Sequence, residues 1–269
     1  MLVCGAQSRA GAPSGRSLIL DYAHRNLLSF KFFQAEQVFE TLRQHRKTKD
    51  LLSLEDAFAS FSDCIIIVLE SPGSFAEIGA FAIKDEIAKI LLVINDIRYS
   101  RDESFINLGP IAKVNKVSIF RPTIYVNPEH ILKFAHIIEE RLSRILRKRN
   151  KNIDLTTFDK FSSCTPKIKV LALADIISMF SPIKRREIYR ILRYCYGNIH
   201  RTNLDVELGM LVTLGIVQMH QDFFFRASED IESFFEFTGF DERKFRADVF
   251  NYYYKYHRER IEILRNRNL

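Results

Sequence analysis

The chain has 269 residues, enough for one large domain or two of ordinary size. Hydrophobic residues at 47% and charged residues at 27% exclude a disordered chain. A net charge of +7 suits an anionic partner such as nucleic acid without requiring one.

Met1 to Gly5 reads as a short strand ending in glycine, and Gln7 to Ser17, with Gly11, Pro13 and Gly15, as a loop. Leu18 to Leu28 has helical apolar spacing, and Phe30 to Phe33 reads as a second short strand. Ser53 to Phe61 is expected to be a capped helix. It leads into Cys64-Ile-Ile-Ile-Val-Leu69, apolar on both faces and rich in β-branched residues, as a strand in the middle of a covered parallel sheet is. A turn, Ser71 to Ser74, precedes a helix expected from Phe75 to Ile87. Lys89 to Ile94 and Thr123 to Val126 read as further strands, and Pro128 to Arg149 as one long helix. Strands alternating with helices predict an α/β open sheet over residues 1–150, with ligands bound beyond the carboxyl ends of its strands.

Residues 151–166 are polar and unperiodic and read as a linker. From 167 the pattern is mostly helical. Helices are expected at Lys167–Phe180, at Ile183–Tyr196 with Ser181-Pro182 as its cap, and at Asn203–Leu214. Ile216 to Arg226 reads as a hairpin, and two helices, Ala227–Phe237 and Asp241–Arg265, finish the chain. Three helices and a hairpin in this order resemble a winged helix, giving a second domain over 167–269 for docking nucleic acid or a partner. Positive charge lies on the helix before the expected recognition helix, at Lys184, Arg185, Arg186, Arg190 and Arg193, which suits phosphate contacts more than base reading.

The chemistry-bearing segment is Glu70-Ser-Pro-Gly-Ser-Phe-Ala-Glu77. Ser71, Gly73 and Ser74 would offer backbone N–H groups and close approach to a phosphate or sugar. Glu77, expected in the first helical turn, is the candidate catalytic carboxylate, and Glu70 its partner in orienting ribose or water. The bland alternative is that Ser74-Phe-Ala-Glu77 is only a capping box. Gly5, after the first strand, is a candidate nucleotide contact, as is Asn107, whose alternative is an Asx-turn. Asp96 is a weaker candidate. The four cysteines are widely spaced and the seven histidines lack ligand spacing, so no metal or redox site is expected. No signal peptide is legible and no apolar run reaches membrane length, so the chain reads as cytoplasmic, with no membrane partner.

Leu51-Leu-Ser-Leu-Glu55, Asp63, Ile65-Ile66, Glu70 to Phe75, Glu77 and Gly79-Ala-Phe81 together resemble the effector proteins of bacterial retrons. Ser104-Phe-Ile-Asn-Leu-Gly-Pro110 resembles a second block of that family. Gly73-Ser74 with Glu77 is similar to the G-[ST]-x-x-E signature of nucleoside 2-deoxyribosyltransferases and related N-glycosidases. Those enzymes commonly place Asp two residues before the glycine, where this chain has Ser71, with the acid one step earlier at Glu70. The resemblance implies a Rossmann-like deoxyribosyltransferase fold and an antiphage toxin cleaving the N-glycosidic bond of NAD or a purine nucleotide. NAD would be a substrate, with no cofactor. It also implies partners, namely the retron reverse transcriptase and its branched RNA–DNA, and allows a higher-order assembly. The competing reading is a non-enzymatic regulator that senses nucleotides or binds DNA.

Overall fold

In the computed structural model, residues 1–8, 12–44, 57–145, 163–197, 201–220, 224–228, 233–235 and 241–265 are described. The chain divides into two compact units, Met1–Phe39 with Lys49–Arg147, and Glu40–Thr48 with Lys148–Leu269.

The first unit opens with β1 (Leu2–Cys4) and α1 (Gly15–Asn26), and α2 (Ala35–Gln44) runs across its boundary after Phe39. Residues 57–61 are helical and deliver the chain into β2 (Ile65–Val68); positions 53–56 of the expected capped helix lie outside the described residues. Then come α3 (Pro72–Ile83), α4 (Asp85–Ala88) and β3 (Leu91–Asp96). A π-helical turn at Asn107–Ile111 runs into α5 (Ala112–Val117), and β4 (Ile124–Val126) follows. The wider π turn accommodates Pro110, which has no N–H to give a regular helix. The long helix expected from Pro128 is instead a 3-10 stretch, Pro128–Phe134, with a kink at His130, followed by α6 (Ala135–Ser143).

The four strands pair in parallel in the order β1-β2-β3-β4. The segment expected as a second strand is reduced to one parallel bridge, Phe33 to Leu2, on the outer side of β1. Backbone bonds from Val3 N–H to Phe33 O (3.0 Å) and from Phe33 N–H to Met1 O (3.0 Å) hold it there. Chain order therefore reverses between β1 and β2, which makes their carboxyl ends the switch point of the sheet. Both faces are covered. Val3, Ile66, Leu92 and Ile94 pack with Ile19 and Ala23 of α1 and Ile138 and Leu142 of α6, while alternate residues Ile65 and Ile67 are equally buried on the other side.

In the second unit α7 (Pro166–Met179) is capped by Thr165, whose side chain accepts from the Ile168 N–H. Residues 151–162 of the expected linker lie outside the described residues. Ser181-Pro182 does not cap a helix. Ile183 is buried and pairs with Phe225, so the chain first makes a short strand, β5 (Ile183–Lys184). Then follow α8 (Arg185–Tyr196), α9 (Arg201–Thr213), and the hairpin strands β6 (Val217–His220) and β7 (Phe224–Ala227). The antiparallel sheet has the order β5-β7-β6. The expected helix Ala227–Phe237 is not present at its described positions, since β7 runs through Ala227 and residues 233–235 are a bend. The last expected helix is two, α10 (Glu242–Tyr256) and α11 (Arg258–Arg265), separated at His257.

The bend at 233–235 is held from below by Asp175 of α7. Its two carboxylate oxygens accept from the Phe234 and Phe235 N–H groups, both at 2.9 Å. Burial dominates the site and pushes the Asp175 carboxyl up to about 6, although the two N–H bonds favour its ionised form. The folded pKa lies above the unfolded one, so this group stabilises the unit when protonated and loses that contribution as pH rises through about 6. We predict that denaturant midpoints of the second unit, followed by tyrosine fluorescence, rise between pH 7 and pH 5 relative to those of Asp175→Asn.

Candidate active site and nucleic-acid interface

At the end of β2 the chain turns outward, and Glu70 sends its carboxylate back across the switch point. Oε2 accepts from the Gly15 N–H at 2.7 Å; Oε1 accepts from Arg16 N–H at 3.0 Å and from Ala6 N–H at 3.1 Å. Gly15 and Arg16 open α1, so an anion meets the positive end of a helix whose first amides need acceptors. The fit is close enough to exclude side chains. A Cβ at Gly15 would lie 2.9 Å from Glu70 Oε2 and 3.0 Å from Ile131 Cδ1. One at Gly5, where φ is +154°, would lie 2.9 Å from both Glu70 Oε1 and Arg16 Cβ. Glu70 thus ties the β1–α1 connection to the end of β2, and what demands glycine at position 5 is this clamp. Arg16 is itself buried, with Nη1 on Glu36 Oε1 at 2.7 Å.

The next turn corrects an expectation about Glu77. Helix α3 begins at Pro72, not Phe75, because Ser71 is the cap residue and proline suits the first helical position. The Ser74 N–H donates to Ser71 Oγ (3.2 Å), while Ser74 Oγ accepts from the N–H groups of Glu70 and Ser71, both at 3.1 Å. The capping box is therefore Ser71 with Ser74. Glu77 stands in the second turn, not the first as expected, beyond the reach of capping and of the helix-end field. It is half-buried, with Oε2 shielded from solvent.

Ser74 was expected to cradle a ligand; it is 1% exposed and its hydroxyl is engaged by the cap. Gly73 is exposed. Among the described residues a Cβ there would meet only Ser71 Oγ, at 3.8 Å, and one at Gly79 would meet nothing within 4 Å. A helical glycine costs roughly 1 kcal/mol relative to alanine, so packing does not account for Gly79.

The π-helical turn carrying Asn107 packs beside α3. Asn107 Nδ2 donates to the carbonyls of Tyr99 (2.6 Å) and Asp102 (2.8 Å), which pins the loop after β3. Its Oδ1 accepts from the Tyr125 hydroxyl at 3.5 Å. Asp96 is buried and bound by Arg98 Nε and Nη2, and that guanidinium holds its carboxyl below the usual range. Together Gly15, Glu70, Asn95, Asp96 and Pro128 line a cleft of about 20 Å³, room for a single water. Gly15, Asn95 and Tyr125 were not singled out from sequence; a glycine in a glycine-rich loop and two residues inside strands carry no signal of their own.

The basic residues of the second unit separate into two groups. Arg185 is tied to Asp205 of α9, and Lys184 Nζ lies over the Phe224 ring at 4.5 Å. Arg186, Arg190 and Arg193 are exposed on α8, spaced four and three apart and so on one face, with Tyr194 93% exposed beside them. Of the five cations singled out from sequence, Arg186, Arg190 and Arg193 form the exposed row, and Lys184 and Arg185 stand outside it.

No helix of the described residues is long and apolar enough to cross a membrane. A family profile described as STM3845 retron effector protein matches residues 12–219. Two Escherichia coli proteins, from retrons Ec73 and Ec86, are similar and share the name "putative ribosyltransferase/DNA-binding protein". The Ec73 protein is 29% identical over 256 residues, covering 87% of this chain and 81% of its own length. The Ec86 protein is 39% identical over 92 residues, covering 33% of this chain and 30% of its own.

Replacing Glu70 with alanine removes the acceptor of three part-buried backbone N–H groups, so it is destabilising, by less than the about 1–3 kcal/mol per fully buried donor wherever water can reach them. Urea midpoints are expected to fall for Glu70→Ala and Gly15→Ala, and to stay near wild type for Gly73→Ala, where there is room.

Proposed function

Because the chain belongs to the STM3845 retron effector family, we propose that it is the toxic effector of a retron antiphage system, a nucleotide N-glycosidase. The first unit cleaves the N-glycosidic bond of NAD or a purine nucleotide. The second docks to the retron reverse transcriptase and its branched RNA–DNA, which control the toxin. The two words in the relatives' name, ribosyltransferase and DNA-binding, are consistent with this division of labour.

The observation that carries the catalytic half is the cap of α3. Ser71 and Ser74 start this helix directly after the carboxyl end of β2, and Glu77 follows in its second turn, so the G-[ST]-x-x-E segment belongs to the helix that opens at a central strand end. Glu77 attacks or stabilises the anomeric carbon as positive charge develops there. The C1′–N bond breaks with its electron pair on the departing base; water supplies hydroxide to the sugar, and its proton goes to a departing purine or, for NAD, whose pyridinium leaves as neutral nicotinamide, to solvent. Ser71 and the Gly73 backbone amide bind sugar or phosphate at the start of α3. Glu70 is a positioning residue, holding the β1–α1 connection at the strand ends, and Asn107 positions the loop after β3. Residues Gly5 and Ser74 act through the same scaffold. The fold reading is a deoxyribosyltransferase-like sheet, supported by its strand order and switch point.

For the second unit, the sequence of helix, short strand, two helices and hairpin, with the first strand beside the last, supports a winged helix. The exposed row Arg186, Arg190 and Arg193 supplies phosphate contacts.

Glu77→Gln is expected to lower base release from NAD or purine nucleotides by at least ~10²-fold, with the fold and partner binding intact. Chromatographic detection of free nicotinamide or adenine reads the outcome. A variant as toxic as wild type removes Glu77 from catalysis, and tight nucleotide binding with no release under activating conditions makes the protein a sensor. For the second unit, Arg186→Glu with Arg190→Glu should weaken branched RNA–DNA binding and flatten its salt dependence by about one phosphate contact per arginine removed. Arg185→Ala should act on stability instead, because it leaves Asp205 without its guanidinium.

A further inference from the structure

The second unit contains a concavity of about 450 Å³ between α8, α10 and the start of α11. One wall is α8, through Glu187 and Ile191, one turn apart. The other is α10, where Phe245, Asp248 and Tyr252 recur at three and four residues and share a face. Tyr253 and Arg260, both buried, form its inner end.

The cation inside this pocket is already matched. Arg260 Nη2 donates to both carboxylate oxygens of Glu187, at 2.7 and 2.9 Å, and Nη1 donates to Pro182 O at 3.0 Å. Its guanidinium lies 4.5 Å from the centre of the Tyr253 ring. Besides His257, whose ring packs 5.5 Å from that of Tyr252, the pocket offers a ligand two other things. One is aromatic surface, chiefly Tyr252, which is 53% exposed. The other is the exposed carboxylate of Asp248, four residues before Tyr252 on the same helix face. Outside, the exposed Arg190 follows Glu187 by three residues on α8 and so neighbours it on the helix surface.

A planar ring for Tyr252, two adjacent N–H donors for a carboxylate and an attached phosphate for Arg190 define a narrow chemistry. Guanine presents its ring N–H and exocyclic amine side by side. Adenine and cytosine set one amine beside a ring acceptor, and thymine sets one N–H between two carbonyls. The donor pair of guanine is consumed in a duplex, so the base must be unpaired. We propose that this pocket binds an unpaired guanine nucleotide, stacked on Tyr252 and read by Asp248, with its phosphate towards Arg190. The proposal rests on the reading of the second unit as a nucleic-acid module and specifies what that module recognises. The same base could arrive in a single strand or as a free nucleotide.

The test titrates the full chain, by fluorescence anisotropy, with labelled twelve-nucleotide single strands. One is all thymine, and the others carry one central guanine, inosine or adenine. The guanine strand is expected to bind about tenfold tighter than the thymine and adenine strands, with inosine, which lacks the exocyclic amine, between them. Asp248→Asn should erase that preference and leave thymine-strand affinity unchanged; Tyr252→Ala should weaken every strand. Equal affinity for all four strands, or a preference that survives Asp248→Asn, overturns the proposal. Calorimetry with GMP separates the sources: Asp248-dependent GMP binding assigns the pocket to a free nucleotide, and strand binding without GMP binding assigns it to a chain. Should no strand bind, the nucleic-acid reading of the unit fails, and GMP then decides the pocket alone, its failure to bind overturning the proposal as well.

Discussion

The first unit is organised around one carboxylate. Glu70 leaves the end of a fully buried strand and is met by three backbone N–H groups from the connection that follows the neighbouring strand. Two of those groups open α1, so the negative charge satisfies amides that a helix cannot satisfy for itself. Glycines at 5 and 15 admit it by having no Cβ in the way. Everything at the switch point inherits its position from this contact: the entry of α1, the turn at Ser71, and through the cap the direction of α3. Ser74 extends the same arrangement, because its hydroxyl holds the Glu70 N–H while its own N–H closes onto Ser71.

The second unit shows a different use of charge. Its cations do not act as a single patch. Arg260 is spent on Glu187 and aromatic rings inside, and Arg185 on Asp205 between two helices. Of the cations on β5 and α8, those left at the surface form a narrow row on α8, a helix that also walls an aromatic concavity carrying a carboxylate. A net charge of +7 spread over the chain says little about where an anion would sit. The internal pairings decide it.

Much of the architecture was legible in the sequence because the strands announce themselves. Cys64 to Leu69 and Lys89 to Ile94 are apolar on both faces, and β2 and β3 fall inside or within two residues of them. Helix ends were less legible. Ser71, Pro72 and Ser74 together form a start signal, yet Ser74 with Glu77 forms a competing one three residues later. Local chemistry cannot rank the two; the backbone path out of β2 does. The same happened at Ser181-Pro182, which looks like a cap until burial of Ile183 draws the chain into a strand. Glu70 was visible as an acid at a strand end, but its three partners lie 54 to 64 residues away in sequence, a distance over which spacing carries no information.

The cap of α3 has a consequence for how such a gene changes over time. In the proposed reading, scaffold and chemistry are carried by different side chains within two turns of one helix: Ser71 and Ser74 start it, and Glu77 acts. A lethal activity and the shape that delivers it can then be inherited separately. A host burdened by accidental activation can silence the protein with a single base change and still make a folded product that occupies the same partners. On that reading, silent copies would stand among intact ones as competitors for the same partners, and the fold alone would not tell the two apart.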